Sequence, residues 1–139
     1  MDIWNQGEII APIARLDEIP LIPDEWQGGK YAHTSYKIVA SYGNIHLVYI
    51  HTCTGLEPQI RVHFSHIGFP LLGDDLYGGS LEDGIQRQCL CIDYLSFYHP
   101  FLEQDLQLES PLPDDFSNII TQLSTNILYK LCLRVYIIF

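Results

Sequence analysis

Side chains that ionise, give electron pairs or hold anions are few in this chain, and only some fall in patterns that could do chemistry. His51, Cys53, His63 and His66 lie close in sequence, with His63 and His66 one helical turn apart, as zinc ligands can be. No Cys-x-x-Cys pair accompanies them, so no metal is expected. Cys89 and Cys91 alternate along a strand-like run and share one face, where thiols usually pack as small apolar groups. There is no Walker loop, no Rossmann glycine pattern and no serine elbow, which sets aside nucleotide and serine-hydrolase chemistry. Three isolated ions remain. Asp17, in Ala14-Arg15-Leu16-Asp17, is a candidate nucleophile or a plain surface-loop acid. Arg61, in Gln59-Ile60-Arg61-Val62-His63, is a candidate anion partner or a solvated helix arginine. Arg87 is a candidate phosphate contact or a surface cation.

These groups need elements to position them. Residues 31–40 alternate polar with apolar and are rich in Tyr, Thr and Val, which predicts a strand. Tyr42-Gly43-Asn44 is a turn signal, and residues 45–52 predict a second strand, completing a hairpin. A turn at Thr54-Gly55 and Pro58 opens a helix over 59–66, which Gly68 caps and Pro70 prevents from continuing. Residues 4–23 read as loop or short strand, because Pro12, Pro20 and Pro23 block a long helix. Residues 71–83 read as a Gly- and Asp-rich loop wrapped around the helix. A strand is expected over 88–97, a turn at His99-Pro100, a short strand over 106–109 and a helix over about 116–123, opened by Asp114 and Asp115.

The chain has 139 residues, at most one modest domain but enough for a core. With 47% hydrophobic residues, a folded chain is expected rather than a disordered one. Its net charge is −10, from seven Lys plus Arg against seventeen Asp plus Glu, which disfavours nucleic acid as a partner of the isolated chain. Four cysteines without a secretory signal point to reduced thiols and a cytoplasmic location. The apolar run over 127–139 is interrupted by Lys130 and Arg134 and is too short to span a membrane.

The stretch from His51 to Gly79, HTCTGLEPQIRVHFSHIGFPLLGDDLYGG, carries a longer signal. It resembles the RluA-type pseudouridine synthases of ribosomal and transfer RNA, whose pattern here is TGRTHQIRVHxSxxGHPLxGDxxYG. GEIIAPIAR, KYAHTSYKIV, RQCLCIDYLSFYHPF and SPLPDDFSNIITQL resemble further segments of that family in the same order. The resemblance covers roughly residues 7–123 and corresponds to the C-terminal half of the catalytic domain. Residues 124–139 match nothing in it.

The resemblance implies an α+β fold, a mixed but mainly antiparallel sheet with a few helices. It also implies uridine isomerisation in structured RNA, without metal or cofactor. The family's essential Asp belongs to an HRLDxxTSG motif, which has no counterpart here. Arg61 falls on the family arginine that partners that Asp; Gln59 beside it is a candidate RNA contact or simply points into the loop, and Arg87, in the RQ of the later segment, is a candidate RNA phosphate contact or a plain surface cation. Asp17 echoes only the RLD of the motif, within a segment that matches the region after it. Leu56, Glu57 and Pro58 replace Arg, Thr and His, and this shifts local charge against RNA. A truncated synthase that is inactive alone is therefore expected, with another chain as the source of the missing half. The alternative is a non-catalytic remnant that binds RNA or protein.

Overall fold

Tyr, Thr and Val residues favour extended backbone from residue 33 onward, and a glycine then lets the chain reverse. In the computed structural model, which describes residues 5–16, 19–23, 28–81 and 85–124, β4 (His33–Tyr42) and β5 (Ile45–Thr52) form the expected hairpin. Gly43 has φ +66° at the first of the two turn positions, as a type II′ turn requires. The hairpin lies in a three-stranded sheet ordered β1-β4-β5, where β1 is Gln6–Ile10. Two smaller antiparallel pairs complete the strands. β2 (Ala14–Leu16) pairs with β3 (Ile19–Leu21), setting Arg15 opposite Pro20. β6 (Tyr94–His99) pairs with β7 (Gln104–Glu109), from Tyr94↔Glu109 to His99↔Gln104. Two helices, α1 (Gln59–His66) and α2 (Asp114–Ser124), give the α+β, mainly antiparallel architecture that the sequence implied.

Two boundaries differ from expectation. The strand expected over 88–97 begins only at Tyr94. Before it, the backbone turns to the preceding loop: Cys89 N donates to Leu72 O at 2.7 Å, so that donor is unavailable to a ladder. The strand expected over 106–109 starts earlier, at Gln104, directly after Glu103 reverses the chain at φ +50°. The proline-rich N-terminal stretch carries three short strands, with Pro20 inside β3, a position a strand in a two-stranded pair tolerates.

The described residues group into two units, one drawn from 8–34 and 52–90 and another from 5–7, 35–51 and 91–124. In the first, Ile13, Ala32 and Val62 form a buried cluster, with Ile22, Leu56 and Tyr77 packed against it. Leu56, where the resembled family has arginine, thus contributes to this apolar cluster. Ile60 and Phe64 are buried on the same helix. Gly68, at φ +83°, ends α1 as a Schellman cap, with Gly68 N bonding Ser65 O and Phe69 N bonding Phe64 O. In the second unit, Tyr36 leaves no room for a side chain at Gly7, and Phe116 of α2 is buried.

Candidate active site

The short helix α1 has to satisfy two environments at once. Gln59, Ile60, Val62, His63 and Phe64 are buried. Arg61 and Ser65, four residues apart and so on one face, are left for the loop that follows. That loop is built around glycine. Gly73 takes φ +78°, and a Cβ there would overlap the Arg87 carbonyl; at Gly79 it would overlap the Leu71 carbonyl. Gly79 N donates to Asp74 O at 2.7 Å and Asp74 N donates to Leu71 O at 3.1 Å, which fixes the Asp74 backbone. Ser65 Oγ donates to Tyr77 O at 2.8 Å, and Tyr77 OH donates to Pro20 O at 3.0 Å.

This arrangement delivers a carboxylate and a ring to Arg61. Arg61 Nε donates to Asp74 Oδ2 at 2.8 Å and Nη2 donates to Asp74 Oδ1 at 2.7 Å, a bidentate pair. The Asp74 side chain is fully buried, while that of Arg61 keeps 22% exposure. The Tyr77 ring lies 4.9 Å from the guanidinium carbon, a cation–π contact. Hydrogen bonding to Asp74 raises the Arg61 pKa further above the ordinary arginine value. Burial raises the Tyr77 phenol, so it stays neutral through the physiological range.

Beneath Arg61 a second network fixes the helix. His63 Nε2 lies 3.0 Å from Ala11 O, and a carbonyl only accepts, so Nε2 carries the proton. His63 Nδ1 therefore accepts, from the Thr34 hydroxyl at 2.9 Å. Thr34 Oγ1 in turn accepts from Gln59 Nε2 at 2.9 Å, and Gln59 Nε2 also donates to His33 O at 3.0 Å. Gln59 Oε1 accepts from Thr54 Oγ1 at 2.8 Å and from Leu56 N at 3.3 Å. Burial holds the His63 pKa below its ordinary value, opposed in part by the bond to Ala11.

Against the expectations, Arg61 sits on α1 as proposed, beside a carboxylate that the sequence had not singled out. Gln59, a candidate RNA contact, is 3% exposed, and the four hydrogen-bonding positions of its amide are filled from within the chain. Its geometry is that of a brace for α1. Arg87 is exposed, and its Nη1 donates to Gln88 O at 3.2 Å and Leu90 O at 2.9 Å. The Arg87 backbone abuts Gly73, next to Asp74. Asp17 and the segment 125–139 lie outside the described residues. Asp74 and Tyr77 are the site residues that sequence reasoning passed over. Their signal was present in Gly73-Asp74-Asp75-Leu76-Tyr77-Gly78, read as a wrapping loop.

No protein-family model matches the chain. It is 37% identical over 119 residues to YjbO, an uncharacterized RNA pseudouridine synthase of Bacillus subtilis, covering 83% of the chain and 40% of the relative. It is 36% identical over 135 residues to ribosomal large subunit pseudouridine synthase D of Haemophilus influenzae, covering 88% of the chain and 42% of the relative. In structure it is similar to human RNA pseudouridylate synthase domain containing 4, at a TM-score of 0.58 and 21% identity, covering 86% of this chain and 56% of the other. Human RNA pseudouridylate synthase domain containing 1 is similar at 0.59 and 18%, covering 88% and 61%. The chain is a homologue of part of the RluA-type RNA pseudouridine synthases, and it spans about two fifths of the length of the curated relatives it matches.

Proposed function

We propose that this chain supplies the C-terminal half of an RNA pseudouridine synthase, which isomerises uridine to pseudouridine in ribosomal or transfer RNA without metal or cofactor. Residues 1–123 form that half, and 124–139 are a separate tail. The observation that carries the proposal is Arg61, held on α1 by Asp74 and Tyr77 within a stretch homologous to such enzymes. The reaction needs an ionised carboxylate to form a covalent adduct or abstract a proton, and an arginine keeps such a carboxylate ionised and placed. Arg61 takes that role toward an aspartate from a segment outside these 139 residues. Arg87 contacts phosphate. Asp17 is the alternative nucleophile within the chain. The location is cytoplasmic; among the described residues no helix is long and apolar enough to cross a membrane.

A second reading is a non-catalytic fragment that binds RNA or protein, favoured by the net charge of −10 and the exposed Glu57 beside Arg61's helix. Both readings are separated by incubating the purified chain with cellular RNA from a synthase-deficient strain and mapping modified uridines. The chain alone is expected to leave them unmodified, and adding the N-terminal half of a relative should restore site-specific modification. No modification with that half present supports the fragment. Modification by the chain alone that vanishes on Asp17→Ala makes Asp17 the nucleophile.

A further inference from the structure

A guanidinium has five N–H donors arranged along two usable edges, one formed by Nε with one Nη and one formed by the two Nη groups. Asp74 occupies the first edge of Arg61, through Nε and Nη2. Tyr77 covers one face of the group. Nothing else within the chain bonds the edge formed by Nη1 and Nη2 among the described residues. Asp74 is itself held in place: its side chain is fully buried, and its backbone is tied to Leu71 and Gly79 in a loop where Gly73 and Gly79 leave no room for a side chain. The guanidinium is thus fixed in plane by one partner and in tilt by another.

We infer that Asp74 is a positioning residue, which holds Arg61 by its Nε edge so that the opposite edge, Nη1 with Nη2, is presented to a second carboxylate. The identity of that second carboxylate as the synthase aspartate rests on the proposed function; the orientation of Arg61 does not. Asp74 cannot serve as the nucleophile, because both its oxygens are engaged by Arg61 and it is sealed from any substrate. Its negative charge also offsets the cation. The pair therefore offers a second anion directed hydrogen bonds more than net charge, and this selects a planar carboxylate over a bare halide.

The orientation is measured on the intact chain labelled with 15N-arginine, using acetate as the probe. In the wild-type chain the Arg61 Nε proton should exchange with water about tenfold or more slowly than the Nη1 protons, as expected for a charge-assisted bond on one edge alone. Acetate should perturb the Nη resonances saturably and leave Nε in place, whereas chloride at equal ionic strength should not. In Asp74→Asn the Nε protection should collapse while the circular dichroism of the fold is retained, and Asp74→Glu should recover part of it. Equal exchange at Nε and Nη1 in the wild-type chain, or acetate displacing the Nε resonance, overturns the inference without recourse to any variant. Failure of the complemented RNA assay together with these signals would overturn the function and leave the positioning role standing.

Discussion

The His63 network makes the stability of this chain depend on a single proton in a defined pH window. Burial lowers the His63 pKa in the folded chain below the ordinary 6.5. The unfolded chain therefore binds more protons than the folded one once pH falls below about 6.5, so stability falls with acidification. Above that pH the contribution is fully present. Geometry reinforces the effect of burial, because a proton on Nδ1 would face Thr34 Oγ1, whose own proton already points there while Gln59 Nε2 occupies the other side. The slope of stability against pH approaches about 1.4 kcal/mol per unit below 6.5, until the folded group itself titrates. For a chain of this size that is roughly 3–6 °C of melting temperature per unit. The assay is thermal unfolding by circular dichroism between pH 7.5 and 5.5, comparing the wild-type chain with His63→Gln. Carboxylates and the other histidines contribute to both curves, so their difference isolates His63. His63→Gln should be less stable at pH 7.5 yet distinctly flatter toward pH 5.5. Parallel curves would refute the reasoning.

Three further outcomes test other parts of the structure. Gln59→Leu removes an amide whose partners, Thr34, Thr54 and the His33 carbonyl, lie within the fold; with about 1–3 kcal/mol for each stranded polar group, chemical denaturation should show a loss of at least about 2 kcal/mol. Gly73→Ala places a methyl on the Arg87 carbonyl at φ +78°, so it should cost more than about 1 kcal/mol and release the Arg61 Nε protection as well. If Arg87 contacts phosphate, Arg87→Ala in the complemented synthase should reduce the slope of log K against log salt by about one, measured by filter binding; an unchanged slope removes it from the RNA face.

The hairpin and the helix were legible because each shows its period locally. Alternation over residues 31–40 and the glycine turn led to β4 and β5, and Gly68 ended α1 at the predicted place. The place of Arg61 on α1 was legible for a different reason, the length of the motif around it. Asp74 was not, although it is the partner Arg61 needs. Nothing in a periodicity says that a loop residue thirteen positions later folds back beneath the helix, and the glycines that permit it act through φ angles and close approach. Gln59 went the other way. A polar residue at a helix start reads as solvent- or ligand-facing, and only the buried Thr34 hydroxyl and the His33 carbonyl, from a strand far back in the chain, reveal it as interior. The late start of β6 has a similar cause: the backbone of Cys89 bonds to a loop whose path the local sequence does not encode.

The hydrogen bonds from Thr54 through Gln59 and Thr34 to His63 and Ala11 all point one way, since the Ala11 carbonyl at the end can only receive. Thr34 and His63 within that sequence are fully buried. A threonine hydroxyl proton normally trades places with water too fast to be seen, but this one is sealed from water by the fold. Its resonance should therefore be visible in ordinary water, and the rate at which it vanishes in heavy water would time how often α1 lifts from its strand. The chain carries its own clock for the opening of the helix that bears Arg61.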